Sequence, residues 1–385
     1  MSRQKLIIIA TVFVDVLGFS IVIPTLPYYL TEFGASPTTI TLLFSVFSFC
    51  AFLSAPLLGS ISDRIGRRPV LLLSIFSTSA GWFVFASAVS IPMLFIGRMI
   101  DGLAAGNFTT AQSYLVDISN NDEQERMKNL GIIGATFGIG FVIGPVVGGV
   151  LSTISHSFPF YFAGSLAFIN GISAYFLLEE SNHHRNTAPI RYNPLMPILR
   201  AYRNLTLRPL YIKWFLYSLS FVIVQSTFAL FTQRAFSYSS FQTGILFTAI
   251  GLIIAVNQTL LLQRFWIKRF SNHQLELIML GMSFIGLLMS ATAALPMFLL
   301  ALPLVGSGQA VYRVVVANEA IHRSEQTTRG EIMGTIASVM TAAMVVSPLI
   351  AGSLFEVNII YPFLAGAAAV LAAFLLSIRT PSPGT

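Results

Sequence analysis

Three charged residues fall deep inside long apolar runs: Asp15, Arg98 and Asp101. If those runs cross a bilayer, a charge at its centre costs about 2.5–3.5 kcal/mol, so such residues usually pair and usually have a task. Arg98 and Asp101 stand three apart and share one helix face. Burial favours the neutral form of a carboxyl, and a neighbouring guanidinium favours the ionised form. A carboxyl held between those pulls can take up and release a proton and couple that event to shape. On this reading Asp15 is the main proton acceptor, Arg98 its counter-charge, and Asp101 a second carboxylate or partner. A static ion pair is the competing reading.

A second constellation is the segment Gly59-Ser60-Ile61-Ser62-Asp63-Arg64-Ile65-Gly66-Arg67-Arg68-Pro69, between two apolar runs. Its glycines allow a tight turn and close helix approach. Asp63 can meet a helix N-terminus, where the dipole favours an anion. Arg67 and Arg68 can pair with acids on neighbouring helices, such as Asp117. A basic membrane anchor explains the arginines equally well. It does not explain Gly-x3-Asp-Arg-x-Gly-Arg-Arg at one loop, which a gate would. A third pattern is Gly140, Gly144 and Gly148, which share a helix face and let another helix approach closely. Pro145 within it favours a kink, and Gly149 follows. Packing or dimerisation alone would also use such a face.

The elements that must position these groups are membrane helices. The chain has 385 residues, 55% hydrophobic and 10% charged, against roughly 25% charged in soluble domains. Spans of about 20 apolar residues are expected at roughly 6–28, 39–61, 69–90, 91–115, 129–152 and 158–178. A second set is expected near 209–232, 240–263, 273–294, 295–318, 331–354 and 358–378. The first run continues to Pro27 without a small-residue cleavage site and reads as a span, not a leader. The basic residues fall in alternate short loops, so both termini are expected in the cytoplasm. That distribution explains the net charge of +7 without nucleic acid as a partner.

The expected organisation is an N-terminal bundle over 1–178, a polar cytoplasmic linker over 179–208 and a C-terminal bundle over 209–385. Arg126, Gly131, Pro145 and Gly149 recur at Arg329, Gly334, Pro348 and Gly352, all at one offset. Parallel six-helix repeats around a central cavity are a transporter architecture. The adjacent His183 and His184 in the linker read as a solvated loop rather than a metal site. Cys50 stands alone, which excludes an internal disulfide and multi-cysteine metal sites.

These motifs resemble the major facilitator superfamily over the whole chain. Three further segments are similar to its twelve-span drug:proton antiporters, closest to the tetracycline-exporter branch. They are Asp15-Val16-Leu17-Gly18 with Ile23-Pro24-Thr25-Leu26-Pro27, then Arg98-Met99-Ile100-Asp101-Gly102, and Gly140 through Gly149. The resemblance implies an all-α membrane fold of two six-helix bundles related by a pseudo-two-fold axis. It implies that the Gly59–Pro69 loop is a cytoplasmic gate in which Asp63, Arg67 and Asp117 form a charge relay. It also implies that Gly140–Gly149 is the antiporter motif that seals against leak. Three departures stand out. Gly81 occupies a position where tetracycline exporters carry an acid, Ser283 to Ala294 is uncharged where they carry a second, and Asp101 replaces a common glutamine; the first two argue against tetracycline itself as the solute. The loop from Gln263 to His273 lacks the gate pattern.

Polar residues inside apolar spans are the candidates for a substrate cavity: Asn107, Gln112, Gln225, Asn257, Gln309, Tyr312 and Arg313, with Ser226, Thr227 and Gln258 nearby. Arg313 could instead snorkel to the cytoplasmic surface. No Walker loop is present, so the proton gradient is the expected energy source. The expectation is proton-coupled export of amphipathic drugs by a monomer in a prokaryotic inner membrane, with no cofactor, metal or catalytic residue. A dedicated transporter of a metabolite, siderophore or lipid-like solute is the rival, and a membrane enzyme lacks a clustered His/Asp constellation.

Overall fold

The computed structural model describes residues 3–119, 123–182, 193–323 and 329–379; His183, His184 and the rest of 183–192 lie outside the described residues. Where no water can satisfy the backbone, helices are the natural way for a single segment to cross. Accordingly the described residues form helices and turns with no strand. Eleven of the helices are long and apolar enough to span a bilayer.

The first half contains α1 (Arg3–Thr31), α2 (Pro37–Ile65), α3 (Arg67–Ala86), α4 (Ile91–Leu103), α5 (Asn107–Asp117), α6 (Glu123–Leu151) and α7 (Phe158–Leu177). The expected single span over 91–115 is two helices. The break falls at Ala104-Ala105-Gly106, where the Gly106 amide turns back onto the Ala104 carbonyl at 2.6 Å. Close packing sets its position. A Cβ on Gly102 would lie 2.7 Å from the Phe47 carbonyl, and one on Gly106 would press into Leu58.

A short helix α8 (Met196–Arg203) precedes α9 (Arg208–Phe236). Then come α10 (Ser240–Arg269), α11 (Asn272–Ala291), α12 (Leu295–His322), α13 (Arg329–Val357) and α14 (Tyr361–Arg379). Within α10 the stretch Asn257–Trp266 is a π-helix, a form rarely longer than one turn and frequent at functional sites.

Two compact units result. Unit 1 comprises Met1–Ala35, Val46–Pro194 and Ser239–Thr248; unit 2 comprises Ser36–Ser45, Leu195–Tyr238 and Ala249–Thr385. In unit 1, α1 packs on α6 and α7, and α3 packs on α4 and α7. In unit 2, α9 packs on α13 and α14, and α11 packs on α12 and α14. The two patterns correspond pair for pair, which is what a sequence repeat at fixed offset requires. Each unit has its own aromatic core. Tyr29, Trp82, Phe85 and Phe160 cluster in unit 1, with Phe85 and Phe160 4.9 Å apart. Phe231, Phe298 and Phe363 cluster in unit 2, with Phe231 and Phe363 4.6 Å apart.

Candidate functional site

The motif loop joins α2 to α3 through Gly66, whose φ of 113° lies in the left-handed region that favours glycine. The turn aims the first amides of α3 at a carboxylate, but that carboxylate is not Asp63. It is Glu180, which accepts from the Arg67 amide at 2.7 Å and the Arg68 amide at 3.2 Å. Glu180 also accepts from the Ser181 and Asn182 amides, both at 3.0 Å. The expected role of Asp63 at a helix N-terminus is therefore filled by a residue from the beginning of the linker. A Cβ on Gly66 would collide with the Glu180 carboxylate, so the glycine is needed twice, for its φ and for this space.

Asp63 instead stands one turn before Arg67 and pairs with it at 2.5 Å, while Arg67 Nε reaches Asp117 at 3.0 Å. The guanidinium also donates to Ser62 Oγ at 2.6 Å. Two further links close the cluster: Ser181 Oγ donates to Asp117 at 3.2 Å, and the Asn182 side chain donates from Nδ2 to the Asp63 carbonyl at 3.0 Å. Arg68 turns elsewhere, donating to the Tyr175 carbonyl at 2.7 Å with its guanidinium 5.6 Å from that ring. Gly59 has no neighbour within 4 Å of where its Cβ would be, so close packing gives no reason for it.

Deeper in unit 1, Arg98 is completely buried. It pairs with Asp101 at 3.1 Å, and its guanidinium lies 4.5 Å from the Phe47 ring and 5.1 Å from Trp82. Its Nε and Nη2 have no hydrogen-bond partner among the described residues. The counter-charge assignment is corrected here: the carboxylate paired with Arg98 is Asp101, one turn along α4. Asp15 takes the Asn107 amide at 2.9 Å instead. The reason is helix geometry, since the i,i+3 partner is already on the same face whereas α1 presents Asp15 to the head of α5. Gly81 shows why no acid fits its own position. A Cβ there would lie 2.9 Å from the Asp101 amide and the Gly97 carbonyl, so α3 and α4 touch backbone to backbone.

Asp15, Asn107, Thr11, Thr78 and Asn170 line a small pocket. About 10 Å³ is open to the centre of a water-sized sphere, close to the room one water needs. Asn170 Nδ2 donates to Thr11 Oγ1 at 3.0 Å, so the wall is polar.

The glycine face of α6 packs on α1 beside this pocket. A Cβ on Gly140 would lie 2.9 Å from Val16, one on Gly144 would overlap the Ser20 hydroxyl, and one on Gly148 would lie 3.0 Å from the Ile21 carbonyl. Ser20 Oγ donates to the Gly140 carbonyl at 2.9 Å, a bond across the seam. Gly149 and Pro145 face residues Ser240–Gly244, also part of unit 1: a Cβ on Gly149 would lie 2.8 Å from Phe241 Cα.

The expected cavity residues divide. Asn107 belongs to the Asp15 pocket. Gln112, Gln225 and Gln309 are partly buried on α5, α9 and α12, and Arg313 is exposed. Two are corrected. Asn257 donates to Ser307 Oγ at 3.0 Å and to the Ile253 carbonyl at 2.9 Å, and it accepts from Trp266 Nε1 at 3.0 Å. Its polar groups are consumed in holding the π stretch. Tyr312 is fully buried, its ring 4.5 Å from Tyr217 and 6.2 Å from Trp214. Ser226 and Thr227 return their hydroxyls to the Ile223 carbonyl.

The sequence reading missed a buried pair in unit 2: Lys213 Nζ lies 2.6 Å from Glu276 Oε1, both side chains 2% exposed or less. Each sits near the start of a span, where a lone charge looks like a surface residue, so only the fold reveals the pairing.

A family model described as Major Facilitator Superfamily matches residues 8–275. The tetracycline resistance protein, class C, of Escherichia coli is 27% identical over 93% of this chain and 91% of its own length. The quinolone resistance protein NorA of Staphylococcus aureus is 26% identical over 94% of this chain and 92% of its own. In fold, the chain is similar to the crystal structure of the human organic anion transporter MFSD10. That likeness has a TM-score of 0.71 and 23% identity, covering 97% of this chain and 99% of the other.

Proposed function

The chain belongs to the major facilitator superfamily and is a multi-pass membrane transporter, and from that premise we propose that it exports amphipathic small molecules in exchange for protons. Export of drug-like solutes is carried over from the two resistance proteins, which it matches over nine-tenths of its length. We place it in a prokaryotic inner membrane with both termini cytoplasmic, working by alternating access as a monomer. The proton gradient supplies about 2.3 kcal/mol per charge per 100 mV, enough at about 1.4 kcal/mol per tenfold to hold a solute gradient of several tens.

The observation that carries proton coupling is the surroundings of Asp15. Its carboxylate has one amide donor, a polar pocket close to the size of one water, and no cation among its hydrogen-bond or ion-pair partners in the described residues. Asn107 suits both protonation states. Its Nδ2 donates to the ionised carboxylate, while its carbonyl oxygen has no partner among the described residues and, after half a turn of the amide, can accept from the protonated one. Because α6 meets α1 on glycines next to Asp15, a proton there changes the seam between two helices that have no side-chain cushion. The Asp63–Arg67–Asp117 cluster is a latch in this scheme. It ties α2, α3, α5 and the start of the linker together at the cytoplasmic end of unit 1, and its partly exposed charges can be re-paired without crossing the membrane.

The test is reconstitution in liposomes with an imposed pH gradient, following lumenal pH while lipophilic cations, tetracyclines and quinolones are added. Proton movement on adding a compound, abolished in Asp15→Asn, is the expected result. Undiminished proton movement in Asp15→Asn removes that residue from the mechanism. Silence across the panel moves the reading to a dedicated metabolite carrier.

A further inference from the structure

Unit 2 contains a buried acid–base cluster that the scheme above leaves unused. Lys213 on α9 and Glu276 on α11 are paired at 2.6 Å, and Ser377 on α14 donates to the same Glu276 oxygen, Oε1, at 2.8 Å. The other oxygen, Oε2, has no hydrogen-bond partner among the described residues, although Glu276 is fully buried. Facing it at 3.8 Å is Nδ1 of His273, which also has no hydrogen-bond partner among the described residues. The His273 side chain is 16% exposed, so its ring runs from the surface to the carboxylate.

The remaining charged and titratable neighbours come from α12 and α9. Tyr312 on α12 lies within electrostatic reach of Glu276, as well as of Glu319 on α12 and the phenol of Tyr217 on α9. Glu319 is itself paired with Arg323 at 2.5 Å. From α14 the polar contact is Ser377.

A buried ion pair is weak evidence of stabilisation, because desolvating both charges costs about what their attraction returns. A purely structural pair would satisfy every oxygen. Here one carboxylate oxygen is left open toward the partly exposed imidazole of His273. We propose that Glu276 is a second proton-binding site, in unit 2, with His273 as its path to water and Lys213 as its resident counter-charge. His273 takes a proton from water at its exposed edge and passes one on from Nδ1 to Glu276 Oε2. The present 3.8 Å exceeds hydrogen-bond range, so the transfer needs a small approach of the ring or one intervening water. The neutral carboxyl then releases the Lys213 ammonium, and one positive charge has been stored in unit 2. The purpose of such a site rests on the proton-coupled reading; the protonation itself can be measured without any substrate.

The experiment is infrared difference spectroscopy of the full-length protein in liposomes through pH steps, with deuterium exchange to mark protonated carboxyls. A carboxyl band should rise on acidification in wild type and in Asp15→Asn, and be missing in Glu276→Gln. In His273→Gln the band should reach the same amplitude at least tenfold more slowly. If Glu276→Gln folds poorly, the neutral pair Lys213→Met with Glu276→Gln gives the same subtraction. Identical wild-type and Glu276→Gln spectra across the folded pH range overturn the site, and an unchanged rate in His273→Gln overturns the path. A titrating Glu276 together with undiminished antiport in Asp15→Asn would support this site while refuting the Asp15 reading. A silent Glu276 with antiport lost in Asp15→Asn would do the reverse.

Discussion

Asp101→Asn leaves Arg98 charged in the centre of unit 1, and the cost can be worked from the geometry. At 3.1 Å and an effective dielectric of about 20, the attraction is about 5 kcal/mol. Both ions are desolvated, which offsets several kcal/mol for each. The pair is therefore near balance, whereas a lone Arg98 keeps its own desolvation cost and loses the attraction. The faces of Phe47 and Trp82, 4.5 and 5.1 Å away, return about 0.5–2 kcal/mol each but are present before and after the change. Asp101→Asn should therefore destabilise unit 1 by about 3–5 kcal/mol. Arg98→Met combined with Asp101→Asn carries no buried charge and should recover most of that loss, while Arg98→Lys keeps the charge and forfeits the planar contact with both rings. The assay is reversible unfolding in mixed micelles, with all variants in one double-mutant cycle. A loss below about 1 kcal/mol in Asp101→Asn, or a double variant as unstable as the single, would refute the reasoning.

Gly144→Ala should cost about 1–3 kcal/mol in the same assay, because its methyl lands on the Ser20 hydroxyl that bonds Gly140. Gly131→Ala, with nothing within 4 Å, should be neutral or stabilise slightly. Gly66→Ala should cost about 1–3 kcal/mol from its φ alone. Both it and the milder Glu180→Gln should speed hydrogen exchange at the Arg67 and Arg68 amides; unchanged exchange would mean that Glu180 does not cap α3.

Hydropathy made the membrane helices legible because a bilayer accepts few other structures, and the same logic failed where packing intervened. Span four breaks at Ala104–Gly106 because close contact with α2 sets the backbone there, which no apolar count detects. The Arg67 cluster was readable because three acidic and basic side chains lie within a dense motif and at a helix end. Glu180 was not, since nothing distinguishes it from Glu179 until Gly66 turns α3 toward it. Polar residues inside spans were the weakest guide. Such a residue can line a cavity or satisfy the interior, and Asn257 does the second. Lys213 and Glu276 are separated by 63 positions, and pairing over that distance leaves no periodic trace.

The π stretch of α10 gives that span an adjustable phase. From Asn257 to Trp266 each carbonyl is bonded one residue further along than in an α-helix. Returning one such turn to α spacing removes a residue from the ring. Every side chain beyond it, Lys268 and Arg269 included, then rotates by about 100° and shifts by about 1.5 Å along the axis. The bond from Trp266 to Asn257, nine positions apart, acts as the pawl of this ratchet. Span eight can thus change which residues it shows at one end while its Ser240–Val256 portion stays still.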